Sequence, residues 1–178
     1  MGGLTMERIS ARTRSVDETR KLGAAVAELC RPGDVILLAG DLGAGKTALV
    51  QGIGAAFGID EPITSPTFVL ARQYQGRFVL HHLDVYRLDQ LDEVYDIGLP
   101  EMLDDSAVVV IEWGDAIATA LPADYLEVRL TLGDDDDDER MLVFRSVGGR
   151  WRNRMTALKL AVLPWIDDAP SAPAPAGS

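Results

Sequence analysis

Five consecutive apolar residues, Val35 to Ala39, stand between Pro32-Gly33 and a glycine-rich stretch, and a second unbroken run, Ala107 to Ile111, ends on Glu112-Trp113. Runs without polar alternation are the pattern of strands buried on both faces, as in a parallel sheet covered by helices. Helical spacing surrounds them. Ser15-Val16-Asp17-Glu18 has the S-x-x-E form of a capping box, Leu22, Val26 and Leu29 follow at helical intervals, and Pro32-Gly33 stops that helix. A second helix is predicted from about Lys46 to Phe57, ending near Gly58. Asp60 to Thr67 is a polar, proline-marked loop, and Phe68 to Tyr74 with Phe78 to Asp84 read as a hairpin around Gln75-Gly76. Leu91 to Leu103 is predicted to be a short helical region interrupted at Gly98-Leu99-Pro100, and Asp115 to Leu121 a helical turn. Leu126 to Leu132 and Met141 to Val147 alternate apolar and polar residues, the signature of a half-exposed antiparallel pair. The expected architecture is α/β: a mixed, largely parallel central sheet flanked by helices, with an antiparallel C-terminal hairpin.

The margins are less patterned. Residues 1–10 show no periodicity and are expected to be flexible, 11–166 to form a single domain, and 167–178, rich in Asp, Ala, Pro and Ser, to be a disordered tail. Trp151 to Leu163 suits a helix or a strand equally. With 178 residues, 47% hydrophobic and 25% charged, the chain has the composition of one soluble globular domain. No run reaches the roughly 18 apolar residues of a membrane span. The N-terminus lacks a signal-peptide pattern, so a cytoplasmic location without membrane attachment is expected. Cys30, the single cysteine, forms no internal disulfide, closes an apolar helix face and reads as a core residue.

The net charge of −11 changes this picture little, because Asp134 to Asp138, Glu139, Asp167 and Asp168 hold eight of the negative charges. Like charges in a block repel and stay solvated, so the first cluster is expected at the tip of the C-terminal hairpin. No Lys/Arg stripe marks a surface for tight RNA binding by this chain alone.

Chemistry concentrates between the first buried strand and the second helix. Gly40-Asp41-Leu42-Gly43-Ala44-Gly45-Lys46-Thr47 fits G-x-x-x-x-G-K-[ST] in the strand–loop–helix order a P-loop requires, which makes the expected fold that of a P-loop NTPase. Such a loop turns backbone N–H groups and a helix N-terminus toward phosphates. Lys46 would reach the outer phosphates, and the Thr47 hydroxyl would hold Mg²⁺. A carboxylate must complete that cation site. Two candidates end apolar strands, Asp84 after Phe78 to Leu83 and Glu112 after Val108 to Ile111, where α/β sheets place their ligands. Glu112 follows the cleaner buried run and is the stronger metal or water-positioning candidate; Asp84 is a second metal-side carboxylate or a water orienter. Each could instead cap the turn that follows.

Other residues carry weaker signals. His81 and His82 do not suit zinc, since no second Cys/His cluster completes four ligands and strand alternation sends the pair to opposite faces. A structural or partner-facing role fits them better. Arg87 suits a phosphate or a surface ion pair, and Trp113 suits stacking on a nucleotide, a partner groove or plain packing. A hydroxyl in Ser65-Pro66-Thr67-Phe68 is placed to sense a terminal phosphate, as switch loops do.

Taken in order, G-D-L-G-A-G-K-T (40–47), S-P-T-F (65–68), H-x-D-x-Y-R-L (82–88) and I-E-W (111–113) resemble the TsaE family, also called YjeE, over about Ser15 to Leu132. Asp41 and Leu42, free in the general P-loop pattern, belong to that family signature. The resemblance implies a small ATPase of the tRNA threonylcarbamoyladenosine pathway that binds Mg²⁺-ATP and hydrolyses it slowly. It implies docking on TsaD and TsaB, which carry out the transfer beside the anticodon, with tRNA met only through that complex. It makes Glu112 a Mg²⁺ ligand, Asp84 a catalytic or metal-side carboxylate, and Thr67 part of a switch loop. It also sets Trp113 by the nucleotide or partner surface, and Ser15 to Thr19 near the adenine. The Asp134–Asp138 run and the tail after Ile166 depart from the family pattern.

Two further classes remain open on the motifs alone. A small-molecule P-loop kinase would carry an arginine-rich lid, and no basic cluster stands between Glu112 and Asp134. A nucleotide-dependent binding module with incidental hydrolysis would differ in not needing Glu112. A GTPase is disfavoured by the missing N-K-x-D and by the lack of a D-x-x-G glycine after Asp84.

Overall fold

Every residue of β2 (Val35–Ala39) and of β5 (Ala107–Glu112) is buried, as strands covered on both faces must be. The computed structural model describes residues 8–66, 71–85, 98–104, 106–112, 121–134 and 136–166. The other strands are β1 (Arg8–Thr13), β3 (Ala71–Gln75), β4 (Val79–Asp84), β6 (Tyr125–Leu132) and β7 (Arg140–Val147). They form one seven-stranded sheet in the order β1-β7-β6-β2-β5-β4-β3. Its centre, β6-β2-β5-β4, is parallel, and the pairs β1–β7, β6–β7 and β3–β4 are antiparallel. The expected P-loop α/β architecture is therefore present. Its C-terminal hairpin is part of the main sheet, with β6 lying directly against β2.

The alternating side chains of the central strands divide the core in two. Ile36, Leu38, Val108, Val110, Leu126 and Val128 face α1 (Val16–Ala27) and α2 (Lys46–Ala56). Val35, Leu37, Val109 and Ile111 face Leu83, Val85 and Leu99 on the other side. Each such aliphatic side chain contributes about 1.5–3 kcal/mol when fully buried. α1 begins as its capping box foretells: Ser15 Oγ accepts from Glu18 N at 3.1 Å. Glu18 reaches back one residue further than the usual reciprocal bond, its Oε2 accepting from Arg14 N at 2.7 Å. The two helices cross closely. A Cβ on Gly52 would lie 1.9 Å from the Arg20 carbonyl oxygen, so only glycine allows this approach.

One expectation needs correction, and one open reading is resolved. Residues 8–10 are not flexible but begin β1, which buries Ile9, Ala11 and Thr13 and pairs with β7. Only alternate positions face the core, and two of those three side chains are small, so the pattern was faint. Of the helical region expected at Leu91 to Leu103, residues 91–97 lie outside the described residues, while Gly98-Leu99-Pro100 opens the short α3 (Leu99–Met102), where proline in the first turn removes no needed donor. The ambiguous stretch 151–163 is helical, as α4 (Gly149–Arg152) and α5 (Met155–Ala161), before a 3₁₀ turn at Leu163–Trp165. The start of the predicted strand at 68–70, the helical turn from Asp115 and the tail from 167 lie outside the described residues.

A buried ion pair fastens the C-terminal helices to the sheet. Arg154 donates from both terminal nitrogens to Asp34, each at 2.6 Å, and stacks 4.1 Å from the Trp151 ring centroid. Asp34 also accepts from Arg31 N at 2.8 Å. Bidentate geometry and the extra N–H offset the cost of burying both charges. Nearby Cys30 is buried, and burial pushes its thiol well above the ordinary range, with Asp34 adding to the effect. That makes it the inert core residue expected of it.

Candidate functional site

The carboxyl ends of β2, β5 and β4 lie side by side, and the glycine-rich loop leaves from the first of them. Gly40 has φ 142°, and a Cβ there would sit 2.2 Å from the Leu130 carbonyl oxygen on β6. Close packing against the neighbouring strand thus demands glycine at the loop's first position. Gly45, at φ 99°, immediately precedes α2, while Asp41, Leu42 and Gly43 are exposed and Ala44 is buried beneath them. Lys46 folds back over the loop, its Nζ donating to the carbonyl oxygens of Gly40 and Asp41, both at 2.8 Å. The lysine is almost wholly buried, so its ammonium relies on protein acceptors to replace water.

Thr47 Oγ1 donates to Glu112 Oε1 at 3.1 Å, which joins the start of α2 to the end of β5. Asp84 stands opposite Glu112 in the β4–β5 register. The Ser65 hydroxyl approaches Asp84 Oδ2 at 3.4 Å. Both carboxylates are buried, Glu112 being 3% and Asp84 5% exposed. A hydroxyl and two carboxylates at adjoining strand ends form a hard-oxygen donor set that suits a divalent cation such as Mg²⁺ with water completing its shell. Lys46, Thr47, Glu112 and Asp84 are thus brought together as the motifs imply. The Ser15 hydroxyl is engaged at the start of α1, where it accepts from Glu18 N. Thr67, Arg87 and Trp113 lie outside the described residues.

A match to the family model described as "Threonylcarbamoyl adenosine biosynthesis protein TsaE" covers residues 13–142, from the end of β1 into β7. The chain belongs to the TsaE family. A tRNA threonylcarbamoyladenosine biosynthesis protein TsaE from Treponema pallidum is 42% identical over 127 residues, covering 71% of this chain and 94% of that protein. The TsaE of Bacillus subtilis is 37% identical over 147 residues, covering 82% and 90%. Among solved structures, the crystal structure of Bacillus subtilis YdiB matches with a TM-score of 0.73 at 31% identity, covering 89% of this chain and 98% of that one. TsaE membership places the chain in tRNA threonylcarbamoyladenosine biosynthesis.

Within this TsaE-family site, two residues make contacts that the sequence reading did not specify: His82, expected only in a structural or partner-facing role, and Arg140, given no role. His82 is fully buried and its Nε2 lies 2.7 Å from Glu112 Oε1, whereas His81 faces the opposite side and lines a surface cavity with Gln73, Glu101 and Asp104. The available signal was strand periodicity, which sets His82 and Asp84 on one face. Arg140, at the start of β7, donates to Gly43 O at 3.3 Å, to Glu139 O at 2.8 Å and to Asp137 O. Arg12 on β1 pairs with Glu139 at 2.7 Å. The acidic hairpin tip is thereby tied to the glycine-rich loop and to the sheet edge, a link no local pattern discloses.

Among the described residues, no three His, Cys, Asp or Glu side chains gather as a metal-holding group. No helix among them is long and apolar enough to cross a membrane.

Proposed function

We propose that this TsaE-family chain binds Mg²⁺-ATP in the Gly40–Thr47 loop and hydrolyses it slowly to cycle its partners, TsaD and TsaB, in tRNA threonylcarbamoyladenosine formation. The observation that carries this reading is the convergence of Lys46, Thr47 and Glu112 at the carboxyl edge of a parallel sheet, with Thr47 and Glu112 already 3.1 Å apart. Lys46 would leave the loop carbonyls for the outer phosphates. Thr47 and Glu112 would hold the cation, and Asp84 would orient water or support the metal from β4. Bound Mg²⁺ would neutralise charge on the phosphate oxygens during transfer. Asp41, Leu42, Gly43, Ala44 and Gly45 would line the phosphates, with Ser15, Thr67 and Trp113 toward the rest of the nucleotide. tRNA would be met only through the partner complex.

Steady-state ATPase assays with and without TsaB and TsaD test the reading. We expect slow turnover by the isolated chain and a rise with the partners present. Turnover that ignores the partners but phosphorylates a metabolite would replace it with a kinase. Glu112→Gln is expected to lower hydrolysis by about 100-fold or more while ATP binding stays measurable, since the lost charge acts mainly on the transition state. Unchanged hydrolysis would remove Glu112 from the site and favour a binding module with incidental turnover.

A further inference from the structure

We propose that His82 is the positioning residue for Glu112, holding its carboxylate from β4 so that the cation half of the site is assembled before any ligand arrives. The inference rests on the Mg²⁺-ATP reading above and adds a residue to it. His82 is 0% exposed and the Glu112 side chain 4%, with 2.7 Å between Nε2 and Oε1. A carboxylate oxygen accepts, so the imidazole donates from Nε2. The ring's other nitrogen, Nδ1, is buried without a hydrogen-bond partner among the described residues. All the polar bonding this ring makes there is directed at Glu112.

The two bonds to Glu112 Oε1 come from supports of different kinds. Thr47 sits in the first turn of α2, and its hydroxyl is the group expected to turn toward a cation. His82 sits within β4, where it lies opposite Val110 of β5 while Asp84 lies opposite Glu112. Two parallel, hydrogen-bonded strands therefore fix the distance between imidazole and carboxylate. When Thr47 turns away, His82 still holds Oε1, and no hydrogen bond from the described residues engages Oε2. Partners of this kind behind a metal-binding side chain typically change metal affinity by about 10- to 100-fold when removed.

The test compares wild type, His82→Leu and His82→Gln as full chains. A glutamine amide reaches nearly as far as Nε2 and keeps a donor; leucine fills the space and has none. Three readouts are needed: affinity for a fluorescent ATP analogue in EDTA, the same affinity with Mg²⁺, and Mn²⁺ binding to the nucleotide complex by electron paramagnetic resonance. We expect all three chains to agree within about twofold in EDTA. The gain from Mg²⁺ and the Mn²⁺ affinity should fall about tenfold or more in His82→Leu and return largely in His82→Gln. A His82→Leu chain that melts lower yet keeps the full metal gain would make His82 structural and overturn the inference alone. A wild type with no metal gain would overturn the Mg²⁺ reading and this inference with it. If His82→Leu does not fold, His82→Asn, whose amide is one bond too short to reach Oε1, replaces it in the same comparison with His82→Gln.

Discussion

An imidazole that loses hydration without gaining a strong anion prefers to be neutral, and His81 is in that position. Partial burial in the cavity with Gln73 and Glu101 holds its pKa below the ordinary value of about 6.5, and Asp104 opposes the shift more weakly. The unfolded chain therefore takes up the proton first as pH falls, and stability is lost from about pH 6.5 downward. Between about pH 7.5 and pH 5.5 the urea midpoint of the wild type should fall further than that of His81→Gln, which has nothing to titrate there. An equal or larger fall in the variant would show that the cavity does not disfavour the charged ring. Its neighbour His82 shows what single residues disclose in a sequence and what they withhold. Lys46 and Thr47 are legible because they close one contiguous glycine-rich motif, and Glu112 because it ends an apolar run. That His82 meets Glu112 depends on the register of two strands thirty positions apart in the chain, which local spacing does not encode.

At the scale of elements, the closest fit is where α1 crosses α2. Alanine is the better helix former by roughly 1 kcal/mol, so on propensity alone Gly52→Ala should stabilise α2. The added methyl would instead meet the Arg20 carbonyl at 1.9 Å, and backbone cannot step aside as a side-chain tip can. We expect a net loss of about 1–3 kcal/mol, seen as a lower urea midpoint at an unchanged slope. A raised midpoint would mean that the helices separate at little cost. Elements were legible where one physical signal dominated: unbroken apolar runs for β2 and β5, a capping box for α1, alternation for β6 and β7. They were obscure where signals were weak or mixed. β1 shows only Ile9 as a large apolar residue facing the core, and Arg-rich 151–163 hides Trp151, Met155 and Leu158, which are the buried face of two helical pieces.

For the whole molecule, the candidate site is assembled from parts that no single segment owns. The loop at 40–47, Asp84, Glu112 and the Arg140 contact come from four strands of one sheet, and β6 supplies the surface against which Gly40 packs. A ligand held by all of them is lost when the sheet comes apart, so binding should raise the stability of the entire fold. At a hundredfold excess over its dissociation constant a ligand adds about 2.7 kcal/mol, which for a chain of this size is about 5–11 °C in Tm. Calorimetry with and without saturating Mg²⁺-ATP should show a shift of that order in the wild type. Lys46→Ala should abolish most of the shift, because the cation aimed at the phosphates is gone. Gly52→Ala separates the two effects: it should start from a lower Tm yet keep the full ligand-induced rise, since the α1–α2 crossing lies behind the loop and contributes no group to the phosphates. If Lys46→Ala kept the wild-type shift, the nucleotide would be stabilising the fold from somewhere other than the Gly40–Thr47 loop.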